Sequence, residues 1–262
     1  MNNVDVINIT LPAISYRGLV PLPHNEVRIE MAKVDTHLTV KEVMESEDKL
    51  VCILVKKEFL NIGKNPESFN DIAVVGKITA VTDLATMQRI VIKTIVRCEV
   101  QEFVSTSPVI RVSVVTKPSV STSQTKELAC VRLLVQELDQ KAQSLFKGKP
   151  ELISKISEGV TPELLTDVFA FNLPLDYNTK LKYLNTIDVT DRMVYLLQDI
   201  RREKVVKEVE EEIDNKVKES ISENQKEFYL REKMNAILSV LIQNLCTQLT
   251  PRTVWMLYPT PL

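Results

Sequence analysis

Glycine, aromatic residues and histidine are scarce in this sequence. It contains five glycines among 262 residues, 5% aromatic residues and two histidines, whereas glycine usually makes up about 7% of a protein. The glycines have neither the G-x-x-x-x-G-K-[ST] nor the G-x-G-x-x-G spacing of a phosphate-binding loop. We therefore expect no nucleotide cofactor.

Cysteine and histidine do not have the spacing of a metal site. The residues concerned are Cys52, Cys98, Cys130, Cys246, His24 and His37. They contain no C-x-x-C pair, and neither histidine is near a cysteine in sequence, so we expect no metal. Free thiols are typical of a reducing cytoplasm. No G-x-S-x-G or H-E-x-x-H motif organises a hydrolase site.

Long apolar runs and basic runs are also missing. The formal net charge is −2, which argues against a nucleic-acid partner. The longest apolar run, residues 237–249, is interrupted by polar residues and is too short to cross a membrane. No basic segment precedes the first apolar stretch, so no signal peptide is indicated. We expect a cytoplasmic protein without membrane contact.

Residues 4–117 have the pattern of β-structure. Short stretches rich in Val, Ile and Thr alternate with polar or turn residues. They are Val4–Leu11, Val27–Met31, Lys49–Val55, Ile72–Val81, Arg89–Phe103 and Val109–Val115. One helix is predicted among them, capped by Thr39 with Glu42 at the capping-box spacing. Several short strands with few helices predict a sheet wrapped into a partly closed barrel.

Helical periodicity replaces the β pattern after a polar linker at residues 116–125. Apolar residues first follow i, i+3, i+4 spacing, at Leu128, Val131, Leu134, Val135 and Leu138. Gly148 and Pro150 are expected to end that helix, Thr161-Pro162 to begin another, and Asp176 to begin a short one. The fold class is therefore α+β, with a β-rich half followed by a helical bundle.

A final helix is predicted from about Asp191 past Ala236. Residues 199–219 contain 14 charged residues among 21, with a narrow apolar stripe between them. A helix of this kind either projects and pairs with another helix or belongs to a bundle with a solvated back. Both interpretations remain open at this point.

Several segments together carry a family resemblance. Gln225–Glu232 reads Gln-Lys-Glu-Phe-Tyr-Leu-Arg-Glu, and Ala236-Ile237 follows it; upstream are Phe171–Leu175 (Phe-Asn-Leu-Pro-Leu) and Ile187–Val189 (Ile-Asp-Val). In this order, after a β-rich half, the chain resembles the N-terminal region of the Lon family of ATP-dependent proteases. The resemblance covers residues 8–237, and its helical half is the specific part.

The resemblance implies an organisation and a function. We expect a β-rich substrate-recognition domain at 1–118, a helical bundle at 119–190, a long charged helix at 191–237 and an atypical tail at 238–262. The chain would be a non-catalytic module that holds unfolded or misfolded proteins for degradation and self-associates through the long helix. These 262 residues carry no motif of the family's ATPase or Ser-Lys protease modules, so we expect neither activity in them. A stand-alone adaptor or chaperone-like binding module is the alternative.

The candidate contact residues lie in a proline-rich loop, beside a helix break and on the long helix. They are Pro21, Pro23, His24, Phe171, Leu173, Phe228 and Tyr229. For the first five, core packing or loop rigidity is the competing interpretation and the one we favour. Phe228 and Tyr229 occupy adjacent helical positions, so one is expected to pack and the other to contact a neighbour or a substrate.

Residues 238–262 depart from the family pattern. They carry Arg252 as their only charge and the only tryptophan of the sequence. A frameshifted or artificial end is one interpretation, and a divergent natural terminus is the other.

Overall fold

The computed structural model describes residues 7–63, 65–138 and 160–248. Six strands come first in the chain, with one helix among them. The strands are β1 (Asn8–Ser15), β2 (Glu26–Ala32), β3 (Leu50–Leu54), β4 (Ile72–Asp83), β5 (Met87–Ser105) and β6 (Arg111–Thr116). The helices are α1 (Lys33–Glu45), α2 (Gln124–Glu137), α3 (Pro162–Asn172), α4 (Tyr177–Asn185) and α5 (Val189–Gln248).

The strands form one mixed sheet that curves back on itself. Their order is β2-β5-β4-β3-β1-β6; β1 pairs with β3 in parallel, and the other pairs are antiparallel. β6 also pairs with the second half of the long strand β5. Register shifts between β4 and β5 increase the local bend. The predicted α+β class with a partly closed sheet is confirmed.

Gly76 lies at one of these register shifts, where the sheet bends. A Cβ atom on Gly76 would come within 2.6 Å of Ile92 Cγ2 and 3.1 Å of the Lys93 carbonyl oxygen. Only glycine leaves room for this approach of β4 to β5.

The β half and the helices share buried apolar residues. Val20, Leu22, Val55 and Val74 come from the β half. Their cluster continues into α2, α3, α4 and the first turns of α5. Two further clusters fill the curved sheet, one of them against α1.

Helix α1 begins earlier than the sequence pattern predicts. It starts at Lys33, directly after β2, and Thr39 is buried in its interior. The predicted N-cap at Thr39 is therefore wrong. The chain turns into the helix where β2 ends, and the Thr36 hydroxyl donates to the Ala32 carbonyl (3.2 Å) and to Gln88 Oε1 (3.0 Å).

The start signals of α3 and α4 are confirmed, and the apolar stripe of α2 is confirmed in part. Pro162 is the first residue of α3, and the Asp176 carboxylate accepts from the Thr179 amide (2.9 Å) ahead of α4. On α2, Leu134 is buried, whereas Leu128 and Val135 are about half exposed. The helix end predicted at Gly148 and Pro150 lies outside the described residues.

The chain divides into two compact units, residues 1–204 and 205–262. The first contains the sheet, α1–α4 and the start of α5. The second contains the remainder of α5, whose described side chains are almost all exposed. No helix in the described part of the chain combines the length and apolar character needed to cross a membrane. The four-part division at residues 118, 190 and 237 stays a prediction.

Candidate functional site

A pocket of about 630 Å³ lies between the end of β1 and the end of β2, two strands that do not pair with each other. Its walls are the end of β1, the end of β2 and the first turns of α1, together with two loops. Apolar lining residues are Ala13, Ile14, Met31, Ile62, Phe69 and Ile110. Arg17, Glu30, Asp35 and Lys56 contribute charged groups. A second pocket of about 390 Å³ lies beside it and shares Tyr16 and Glu30.

Lys56 is a buried cation in the wall of the larger pocket. It directly follows the buried run that contains β3, and its side chain is held by the loop that follows. Its Nζ donates to the Ser68 hydroxyl (2.9 Å) and to the Gly63 carbonyl, and it lies 3.5 Å from the centre of the Phe69 ring. Burial lowers the pKa of the Lys56 amine.

The loop after Lys56 presents apolar side chains to solvent. Phe59, Leu60 and Ile62 are 51%, 69% and 78% exposed. The loop is held by α4, because the Tyr177 hydroxyl donates to the Lys56 carbonyl (2.6 Å) and its ring lies edge-on to Phe59 at 5.6 Å. Exposed apolar groups beside a pocket are typical of a binding surface.

Five of the candidate contact residues lie in the loop before β2 and at the end of helix α3, and the fold brings these two segments together. Most of the five are buried. Pro21, Pro23 and Leu173 are buried, Phe171 is half-buried, and His24 is exposed. The side-chain amide of Asn25 donates to the backbone carbonyls of Pro23 (2.8 Å) and Asp167 (3.1 Å). The three buried residues therefore contact the core in this arrangement. A contact role for these residues stays a prediction.

Phe228 and Tyr229 lie on α5 in the second unit. Their side chains are 67% and 63% exposed. The expectation that one of them packs and the other contacts a neighbour or a substrate stays a prediction. Both aromatic rings are accessible to another molecule.

A buried ion-pair network lies under α3. Arg97 makes two hydrogen bonds to the Asp167 carboxylate (2.8 and 2.6 Å), and Arg192 makes a third (2.5 Å). All three side chains are at most 1% exposed. Arg97 also donates to the carbonyls of Tyr183 and Leu184 (both 3.1 Å). One carboxylate thus joins β5, α3 and α5.

His24, Glu163 and Asp167 place three potential ligand atoms within 4.8 Å of one another. The hydrogen bond from His24 lowers the pKa of Glu163 to about 2. Two buried guanidinium groups, however, already bind the Asp167 carboxylate. Since they supply positive charge where a cation would sit, this donor set favours an ion-pair network over a metal site.

No local sequence pattern indicates the pocket or the buried network. Lys56 belongs to a Lys-Lys-Glu triplet that reads as a solvated turn. Arg97 lies in a strand with alternating character, where a charged residue usually marks the exposed face. In the fold, helices distant in sequence cover that face of β5, so burial of Arg97 depends on tertiary packing.

Comparison with known proteins identifies the class to which this fold belongs. An N-terminal domain of a Mycobacterium avium complex Lon protease superposes with a TM-score of 0.59 at 20% identity, covering 74% of this chain and 98% of that one. A Lon N-terminal domain protein from Xanthomonas campestris gives a TM-score of 0.50 at 13% identity, covering 72% and 98%. The fold is therefore that of Lon N-terminal domains.

The sequence defines the family more narrowly. Residues 10–202 match the family described as the ATP-dependent protease La (LON) substrate-binding domain, and the chain belongs to this family. A Lon protease of Aster yellows witches'-broom phytoplasma is 28% identical over 232 residues, and one of Heliobacterium modesticaldum is 26% identical over 230. These alignments cover 87% of this chain but 29% and 28% of the relatives. The chain thus spans about three-tenths of the length of the curated relatives it matches.

Proposed function

We propose that this chain recognises unfolded or misfolded protein segments as the substrate-binding part of a Lon-type ATP-dependent protease in the cytoplasm. The observation that carries the proposal is the match of residues 10–202 to the LON substrate-binding family. The pocket between β1 and β2 supports it, because it combines an apolar lining with polar rim groups. The exposed loop residues Phe59, Leu60 and Ile62 widen this apolar surface.

We assign no bond cleavage to this chain. Its sequence has no phosphate-binding loop and no motif that organises a hydrolytic nucleophile. ATP hydrolysis and peptide-bond cleavage would then belong to other parts of a Lon-type protease. The chain would contribute binding and positioning of the substrate.

Binding of an unfolded protein by the full chain tests the proposal. The probe is fluorescein-labelled lactalbumin, reduced and carboxymethylated so that it stays unfolded, and its anisotropy is followed as the chain is added. We expect saturable binding of this probe and at least tenfold weaker binding of native lactalbumin. Equal affinity for both forms, or no binding of either, would overturn the proposal. Release of peptides or of ADP from added ATP would contradict the non-catalytic role.

Self-association through the long helix is the second part of the proposal. In the second unit an apolar stripe repeats every three to four residues on a charged helix; it consists of Val206, Val209, Ile213, Val217 and Ile221. Each of these side chains is between 43% and 55% exposed. An exposed stripe at this spacing is typical of helices that pair with other helices.

A matched pair of substitutions tests this association. I213D places a charge in the stripe, whereas N215D places the same charge two residues on, at about 160° around the helix. Sedimentation velocity of the full chain is expected to show that I213D, but not N215D, lowers the assembled fraction. A monomeric native chain at all concentrations, or equal effects of the two variants, would contradict association through this stripe.

A further inference from the structure

Strand β2 has an unpaired edge next to the pocket. Within the described ranges β2 pairs with β5 alone. The Lys33 amide donates to the Thr86 carbonyl (3.1 Å) and the Thr94 amide to the Asn25 carbonyl (2.9 Å), one at each end of this ladder. Ladder bonds recur at every second residue of an antiparallel strand. The backbone N–H and C=O groups of Arg28 and Glu30 therefore point away from β5.

These backbone groups face the gap between β2 and the end of β1. The two pockets of about 630 and 390 Å³ both touch Glu30 and Tyr16, so they lie between β2 and the end of β1. No described residue supplies a backbone partner to Arg28 or Glu30 on this side. An exposed edge with unpaired N–H and C=O groups is a template for another strand.

The side chains around the gap define what an added strand should carry. Because alternate residues of a strand point to opposite faces, every second side chain would enter the larger pocket. There Ile14, Met31 and Ile110 offer an apolar lining. The entering residues should therefore be apolar.

Positively charged side chains outnumber negatively charged ones around the gap. Four cations line the two pockets, Arg17, Arg28, Lys56 and Arg89, against the two carboxylates of Glu30 and Asp35. Arg89 pairs with Glu30 (2.6 Å) and Arg28 with Glu26 (2.8 Å). Within the described part of the chain, Arg17 and Lys56 have no carboxylate within 4 Å. A segment with an acidic residue complements this rim better than a basic one.

We infer that an extended client segment adds as a strand to the β2 edge at Arg28 and Glu30. Its apolar residues occupy the larger pocket at alternate positions, and an acidic residue lies near Arg17 and Lys56. This inference rests on the proposed function and specifies how the client is held. Main-chain hydrogen bonds would supply affinity for many sequences, and the pocket would supply the preference for apolar side chains.

Two substitutions at one position isolate the backbone contact. E30P removes the N–H that points into the gap, and E30A removes the same side chain while keeping that N–H. Ladder bonds to β5 come from the neighbouring residues, and proline is tolerated on a strand edge whose N–H faces away from the ladder. Urea unfolding of both variants is measured as a control, and equal midpoints show that both are folded to the same extent.

The probe is a labelled, capped heptapeptide of sequence Glu-Thr-Val-Thr-Ile-Thr-Glu, whose apolar and acidic residues share one face of an extended strand, with a second peptide in which lysine replaces both glutamates. We expect E30P to bind the acidic peptide about three- to tenfold more weakly than E30A, the effect of one lost hydrogen bond. We also expect the native chain to bind the lysine peptide more weakly than the acidic one. Equal affinity of E30P and E30A would overturn strand addition.

N-methylated peptides provide the same test on the native chain if E30P does not fold. One peptide carries backbone methyl groups on Val and Ile, and the other on the first two Thr residues. Since one edge of an added strand faces β2, one of the two methylated peptides should lose binding. Unchanged binding of both would overturn the inference. Binding of unfolded lactalbumin without any of these effects leaves the proposed function standing, whereas loss of all binding by the native chain refutes that function itself.

Discussion

Removal of the Asp167 carboxylate tests the buried ion-pair network most severely. Asp167 receives two hydrogen bonds from Arg97 and one from Arg192, and none of the three side chains is more than 1% exposed. The D167A substitution leaves two guanidinium groups buried without their counter-charge. Breaking a buried pair in this way costs about 3–5 kcal/mol. At about 2–4 °C per kcal/mol for a chain of this size, we expect Tm to fall by about 6–20 °C.

The control for D167A is an ion pair at the surface. Glu26 and Arg28 form a contact of 2.8 Å with side chains 52% and 74% exposed, and exposed pairs contribute about 0–1 kcal/mol. Thermal and urea unfolding of the native chain, D167A and E26A are followed by circular dichroism. E26A is expected to unfold close to the native chain. A loss below about 1 kcal/mol in D167A would refute the conclusion that this carboxylate joins β5, α3 and α5.

Three further substitutions have defined outcomes in the same unfolding assay. G76A brings a Cβ within 2.6 Å of Ile92 Cγ2 and should destabilise the chain by about 1–3 kcal/mol; a neutral effect would show that β4 and β5 can separate there without cost. Gly18 has φ +75°, and a Cβ there would lie 2.9 Å from the Phe59 ring, so G18A should lower the free energy of unfolding by about 1 kcal/mol or more. The pKa of Glu163 is lowered from 4.5 to about 2 by the hydrogen bond from His24, so its stabilising contribution is complete above pH 4.5 and is lost as the pH falls towards 2. The urea midpoint of E163Q should therefore fall less between pH 4.5 and pH 2 than that of the native chain, and parallel curves would contradict this assignment.

Local sequence signals predict most of the fold because they depend on near neighbours in the chain. The alternating Val, Ile and Thr stretches correspond to all six observed strands. Pro162 and Asp176 mark true helix starts since proline and an acidic cap act on the adjacent backbone. Thr39 has the same kind of signal and fails, because the end of β2 decides where α1 begins.

The candidate site depends on distant pairings that no local pattern contains. The gap beside β2 exists because β5 pairs with β2 through its first half and with β6 through its second. Lys56 is buried because Gly63, Ser68 and Phe69 lie against its side chain. An apolar or rigid residue suits either a binding loop or a core, so the sequence alone does not distinguish these roles for Pro21, Pro23 and Leu173. These residues are buried because α3 packs against the loop before β2.

Residue-level cross-linking tests the central claim most directly. A photoreactive amino acid replaces Ile62, on the rim of the larger pocket, or Leu128, an exposed apolar residue on α2; their exposed fractions are 78% and 53%. Each full chain is irradiated with unfolded carboxymethylated lactalbumin. We predict cross-links from position 62 that excess acidic heptapeptide suppresses, and few from position 128. Equal cross-linking from both positions, or cross-links at 62 that the peptide does not reduce, would contradict client binding in the gap beside β2.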